Sequence, residues 1–392
     1  MDYAQIAYEH IRQLSVTIGG RGSCTSSERR AAEYVHEKLR ESGVTDVDFE
    51  EFRGAPSTYL PFTLAFISAL LGTLVALLSG TRAAFTLGAL LNLCGVWAMF
   101  AESEFKSNWT RWLLPTIKTQ NVTAIIHPQK TVKQQLVLCA HLDSHRTPVF
   151  YSSTTWHKIF GLCVTGAFLS MVLGTLIFGV GGFLGWSWLR WIGVLIGPVQ
   201  IFVLILVLSA EFTPFSPGAN DNASGVGVIL ALAERLRLEP LVYTTVNLIF
   251  TDCEETGAHG IQAYLRRHAE PFGKDAVYII LDEVGAGHLK IILQDGLIIK
   301  HKTHPRAVKL ARDASFGLSR TAIEAVGEAY TDALPATKRD LIAITVASAF
   351  PDPDTALSHW HQMSDQLEFI DVQTLQDANT FTWNILQALD IE

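Results

Sequence analysis

Four long runs without a charged side chain divide this 392-residue chain, and they limit what it can fold into more than any other feature. Nothing between Arg53 and Arg82 is charged, and Tyr59 to Ser79 is almost wholly apolar. Ala83 to Ala101, the stretch between Lys158 and Arg190, and Trp191 to Ala210 repeat the pattern. A membrane-spanning helix needs ~20 mostly apolar residues, and each run is long enough. The runs come as two hairpins, turning near Arg82 and Arg190, with Trp186, Trp188 and Trp191 placed like an interfacial belt at the second turn. Four buried core helices in a soluble fold are the alternative, but runs of this length free of charge are unusual there. With 49% hydrophobic and 17% charged residues, the chain is also too apolar for an ordinary soluble enzyme.

Two hairpins return the chain to the side it left, so the polar segments 1–58, 102–157 and 211–392 are expected to share one compartment. Near the spans that side carries Arg53, Lys106, Arg111, Lys118, Arg146 and Lys158, whereas the other carries only Arg82 and Arg190. The positive-inside rule then places the polar part in the cytoplasm. Tripeptides at Asn108, Asn121 and Asn222 match the glycosylation pattern, but such tripeptides arise often by chance. The first 58 residues hold no short basic segment leading into an apolar core, so no signal peptide is expected. Five cysteines form no CxxC pair and no regular spacing, which fits a reducing compartment. A net charge of -8 without a Lys/Arg cluster argues against nucleic acid as a partner.

The polar remainder alternates strands and helices. Gln135–Ala140, Val246–Phe250, Val277–Leu281 and Ile342–Val346 read as buried strands, and Asp46–Phe52 as an edge strand. Ser27–Glu41, Gly225–Leu236 and Val372–Ala388 read as helices. The expected fold is α/β: a mixed, mainly parallel central sheet flanked by helices and interrupted by two transmembrane hairpins. The organisation follows: 1–58 opens the sheet domain, 59–101 is the first hairpin, and 102–157 brings the first candidate ligands. Residues 158–210 form the second hairpin and 211–392 complete the domain.

Residue types that bind metals recur where strands end or helices begin. His141 and Asp143 are two apart after a strand, so they point to one face, and the carboxylate can orient the imidazole. Asp221 precedes a helix, where it can cap, bridge two cations, or do both. Glu254 and Glu255 end a strand, so one can hold a metal while the other addresses a water. Asp282 follows another buried strand, and acidic groups in such places are costly without cations. Near the carboxyl end either His359 or His361 can serve, and the spacing to Asp365 favours His361. His145, His259 and His288 have no patterned partner and read as ordinary. Two imidazoles with several carboxylates suit a pair of zinc-like ions and a general base.

In order, HLDS, GANDNASGV, DCEETGAHG, LDEVG and WHQMSD resemble the zinc aminopeptidase family of co-catalytic metallopeptidases, which includes leucyl aminopeptidases, glutamate carboxypeptidases and glutaminyl cyclases. The likeness extends to IGGRGSCTSSERRAAEYVHEKL near the amino end. It implies a zinc-exopeptidase-like fold with two Zn2+ ions, one held by His141, Asp221 and Asp282 and the other by Asp221, Glu255 and His361. Glu254 would be the general base and Asp143 the partner of His141, and the segment Tyr330 to Pro335 would lie near the substrate pocket. Gln362 departs from the family's usual Thr, and the His141-to-Asp221 stretch is lengthened by the second hairpin. The expected activity is that of a membrane-anchored exopeptidase, an aminopeptidase acting on peptides beside a lipid bilayer. A glutaminyl-cyclase-like aminoacyltransferase and a non-catalytic scaffold are the alternatives.

Overall fold

The computed structural model describes residues 1–350 and 359–391, and the chain falls into two compact units. One comprises Met1–Pro56, Thr116–Arg146 and Pro214–Glu392, and the other Ser57–Pro115 and Thr147–Thr213.

The first unit is built on a nine-stranded sheet. Its strands are β1 Asp46–Gly54, β2 Ile117–Ile126, β3 Gln134–His141, β4 Thr244–Thr251, β5 Val277–Leu281, β6 His288–Asp295, β7 His301–Lys302, β8 Ile323–Val326 and β9 Ile342–Ala349. Their order is β1-β2-β4-β3-β5-β9-β6-β7, with β8 pairing β6. The sheet is mixed and flanked by helices, as the sequence indicates. Parallel pairing holds through the central four, β4-β3-β5-β9, and in β6–β8, whereas β1–β2, β2–β4, β6–β9 and β6–β7 are antiparallel. The central strands show why: β4 and β5 are buried at every residue, as strands covered on both faces must be. Leu138, Leu248, Ile279 and Ile344 join one core with residues of the helices Tyr3–Arg12, Ser26–Glu41, Gly225–Leu238, Pro305–Ala314 and Val372–Ile391. Because those four strands run the same way, all their carboxyl ends open on one edge, and this edge carries the site.

The second unit holds four helices long and apolar enough to cross a membrane: Leu60–Ser79, Arg82–Ser103, Thr154–Leu184 and Ser187–Ala210. Only 33–39% of each apolar window is buried, so these are not core helices. Leu78, Leu162, Leu176 and Leu195 are all more than half exposed, an apolar surface that water would not tolerate over such an area. The first two helices meet at glycines: a Cβ at Gly72 would lie 2.7 Å from the Gly88 carbonyl oxygen, and one at Gly88 2.7 Å from that of Gly72. Small residues let backbones approach in this way where no hydrophobic force drives helices together. A buried amide knot then ties the bundle. The Thr73 hydroxyl donates to Gln200 Oε1 (3.0 Å), Gln200 Nε2 donates to Asn92 Oδ1 (3.1 Å), and Asn92 Nδ2 donates to the Gly88 carbonyl (2.9 Å). Both turns lie at one end, where Arg82 packs on Gly185, Arg190 on Gly80, and Trp186, Trp188 and Trp191 are exposed.

The apolar unit extends beyond the expected hairpins to take in 57–58, 102–115, 147–157 and 211–213. Part of the reason is local: Glu102 pairs with Arg111 and accepts from Asn108 Nδ2 (3.0 Å). Asn108 also caps the short helix Trp109–Leu113 through Thr110 N–H. The glycosylation-like asparagines are thus engaged structurally. Asn121 donates to the Gly260 carbonyl (2.9 Å) and Asn222 to that of Leu281 (2.9 Å), and all three are buried.

Candidate metal centre

Three parallel strands deliver most of the acidic and imidazole groups. His141 is the last residue of β3, Glu254 and Glu255 follow β4 by three and four residues, and Asp282 immediately follows β5. Asp221 comes from the turn before the helix Gly225–Leu238, and His361 from the segment after β9. All six are buried.

Asp221 sits between the two imidazoles. Its Oδ1 is 3.2 Å from His141 Nε2 and its Oδ2 is 3.1 Å from His361 Nε2. On one side His141 Nε2 also lies 3.3 Å from Asp282 Oδ1, and on the other His361 Nε2 lies 3.5 Å from Glu255 Oε2. Asp221 therefore reaches both imidazoles, each imidazole reaches a further carboxylate, and the donor atoms of His145, Glu255 and His361 also lie within 4.8 Å of one another. Within the group His141, Asp221 and Asp282 the donor atoms lie within 4.8 Å of one another, and the same holds for His141, Glu254 and Glu255.

The surroundings fix these positions. The turn bearing Asp221 is held from three sides: Asp365 accepts from the N–H groups of Asn220 (2.7 Å) and Asp221 (3.0 Å), Asn222 Oδ1 accepts from Gly225 N–H (3.0 Å), and Asn220 Oδ1 accepts from Gly285 N–H (2.8 Å). A Cβ at Gly225 would sit 2.3 Å from the Leu281 carbonyl oxygen, so only glycine lets this turn lie against the end of β5. Arg21, fully buried, donates to the carbonyls of Leu142, Pro217 and Gly218 and so joins the amino-terminal loop to both ligand segments.

His141 Nδ1 is 2.9 Å from the backbone carbonyl of Asp143. A carbonyl only accepts, so Nδ1 carries the proton, and a cation held among the carboxylates would take the Nε2 lone pair. The Asp143 carboxylate was expected to orient this ring, but it lies 3.5 Å from Nδ1, and the backbone of the same residue does the closer work. The carboxylate instead accepts from the Ser23 hydroxyl (2.6 Å) and from the N–H groups of Glu254 (3.2 Å) and Glu255 (3.2 Å), which orients the acidic pair.

His359 lies apart, donating or accepting at Ser364 Oγ (3.0 Å) and stacking on Phe369, so of the two imidazoles His361 is the one in the cluster. His145 was read as ordinary, yet it is buried, stacks on His361 with ring centres 3.6 Å apart, and brings Nε2 to 3.9 Å from Glu255 Oε2. Its spacing from His141, four residues along the same loop, was the available signal. Asp332, in the segment expected near the pocket, accepts from the Thr251 hydroxyl (2.5 Å) beneath the site.

The charges do not balance within the protein. Burial drives the Glu254 carboxyl well above its usual range; His141 opposes the shift, while Asp332, Asp282 and Asp143 add to it. Burial, Asp221 and Glu254 do the same to Glu255. Asp221 goes the other way: burial opposes ionisation, but the rings of His141 and His361 outweigh it. Among the described residues, one buried Glu254 oxygen, Oε1, has no hydrogen-bond partner. Leaving such acidic groups dry costs several kcal/mol each unless cations neutralise them, and mixed N/O donors at these positions suit divalent ions of the zinc type.

Residues 206–386 match the model of Peptidase family M28. That matched stretch holds Asp221, Glu254, Glu255, Asp282 and His361. Solved structures share the fold. The zinc aminopeptidase BSAP from Bacillus subtilis superposes with a TM-score of 0.59 at 17% identity, covering 99% of this chain and 95% of that one. The glutaminyl cyclase of Porphyromonas gingivalis gives 0.58 at 17%, covering 98% of each. A curated relative, the alkaline phosphatase isozyme conversion protein of Escherichia coli strain K12, is 34% identical over 105 residues, 26% of this chain. That match spans 29% of the relative's length.

Proposed function

We propose that this chain is a membrane-anchored, zinc-dependent exopeptidase that removes amino-terminal residues from peptides. The observation that carries the reading is the sharing of Asp221 between His141 with Asp282 on one side and His361 with Glu255 on the other, with Glu254 alongside. His141, Asp221 and Asp282 would hold one zinc ion, and Asp221, Glu255 and His361 a second. When bound, the ions would polarise the scissile carbonyl and make a water acidic near neutral pH.

The protein's own groups do the rest. Glu254, buried and with one oxygen that no described residue pairs, takes a proton from the attacking water and returns it to the leaving amine. Asp143 holds the backbone of Glu254 and Glu255, so the base and the ligand keep their relative positions. The fold likeness to the zinc aminopeptidase BSAP supports the amino-terminal choice. The four apolar helices anchor the domain, with the M28 domain on the cytoplasmic face.

A second reading, cyclisation of amino-terminal glutamine, is favoured by the fold likeness to a glutaminyl cyclase. Profiling detergent-purified, zinc-loaded protein against a peptide library separates the two. Stepwise release of amino-terminal residues is expected. Conversion of amino-terminal glutamine with loss of ammonia would favour the cyclase, and zinc binding with turnover of neither would leave a scaffold.

A further inference from the structure

We propose that Cys24 and Cys253 form a reversible thiol–disulfide pair that silences the site when oxidised. The silencing rests on the hydrolase reading above, whereas the disulfide does not. The five cysteines looked unpatterned in sequence, yet the sulfurs of Cys24 and Cys253 lie 3.2 Å apart, 229 positions from one another along the chain. Their neighbourhood is built around the contact. Both backbones sit in the left-handed region, at φ 60° and 61°, where residues with a side chain are uncommon. The Asp252 carboxylate holds both there, accepting from Cys253 N–H (2.7 Å) and Cys24 N–H (3.3 Å) and from the Thr119 hydroxyl. Gly54 makes the space: a Cβ there would be 2.5 Å from one sulfur and 3.0 Å from the other.

With its oxygens committed to those three donors, Asp252 is poorly placed to complete a metal site with the two thiols. Their chemistry together is oxidation. Cys24 is partly exposed and Cys253 buried, which sets the order of attack. The Cys24 thiolate attacks a low-molecular-weight disulfide such as glutathione disulfide, releasing one glutathione thiol and leaving a mixed disulfide. Cys253 then loses its proton and attacks the Cys24 sulfur, releasing the second glutathione. Two protein thiols are oxidised and one small disulfide is reduced to two thiols.

The consequence reaches the site because Cys253 immediately precedes Glu254 and Cys24 follows Ser23, the residue that donates to Asp143. Bonding at ~2.05 Å draws the sulfurs together by about 1 Å. Cys253 shares its backbone with Glu254, so part of that movement passes to the base, where misplacement of ~1 Å can cost on the order of 10²-fold in rate.

The test is peptide mapping of full-length, detergent-purified protein incubated with glutathione disulfide, with turnover of a peptide substrate followed in parallel. A Cys24–Cys253 cross-linked peptide is expected, with Cys94, Cys139 and Cys163 still alkylated. Turnover should fall by about 10²-fold and return with dithiothreitol. Cys24→Ser should keep basal turnover and lose the response. A stable glutathione adduct on Cys24 with Cys253 still free overturns the proposal. So does zinc or copper bound by the two thiols and released in Cys253→Ser, or a disulfide that leaves turnover unchanged in an active enzyme.

Discussion

On the proposed reading the chemistry turns on Glu254, and substitutions there and at His361 separate catalysis from metal binding. Glu254→Gln keeps the shape and removes the proton acceptor, so turnover should fall by ~10²–10⁴-fold while zinc content stays at the wild-type level. His361→Ala should instead lose zinc along with activity, both measured by metal analysis beside the peptide assay. A residue away from the site gives the pH dependence. Burial pushes the Asp390 carboxyl up, but the N–H groups of Val242, Tyr243 and Thr244 outweigh it and hold the group below its ordinary range. A lowered folded value means the stabilisation is complete above ~pH 4 and is lost as pH falls through that folded value. Asp390→Asn should therefore destabilise the protein by about 2 kcal/mol near neutral pH and flatten the acid limb of a thermal-melt profile. At this scale the sequence was legible wherever a strand end placed an acid or an imidazole. His145 was missed because its partner, His361, is distant in the chain, and so was the contact of Cys24 with Cys253.

At the scale of elements, the parallel centre explains how distant segments reach one point. His141, Glu254 with Glu255, and Asp282 leave neighbouring strands at the same edge because β4, β3 and β5 are in parallel register. The apolar strands announced themselves, since QLVLCA and VYIIL are too apolar to face water on either side. The antiparallel flanks did not, because pairing direction depends on connections that hydropathy does not reveal. In the helical unit the runs were plain from the absence of charge, but the Thr73–Asn92–Gln200 knot was not, since isolated polar residues carry no period. Asn92→Ala should weaken the bundle by about 1 kcal/mol, read as a lower midpoint in detergent unfolding. Gly88→Leu should do more, because its side chain would meet the opposing backbone at Gly72.

On the scale of the whole molecule, two apolar hairpins interrupt the unit that carries the sheet, and on the proposed reading they anchor a metallopeptidase centre to a bilayer. Both insertions leave and rejoin the domain without breaking the sheet, which is why nine strands still assemble from three separate stretches of chain. The charge bias around the spans predicts that a carboxyl-terminal reporter fused after the full chain reads as cytoplasmic. Protection of that reporter on the opposite side would reverse the orientation. The most direct measurement is zinc per chain in the detergent-purified protein, by elemental analysis, for wild type and Asp221→Asn. Two zinc ions in the wild type, with both lost or weakened together in the variant, follow from a carboxylate that the two centres share. A protein that takes up no zinc, or a variant that keeps its full complement, contradicts it.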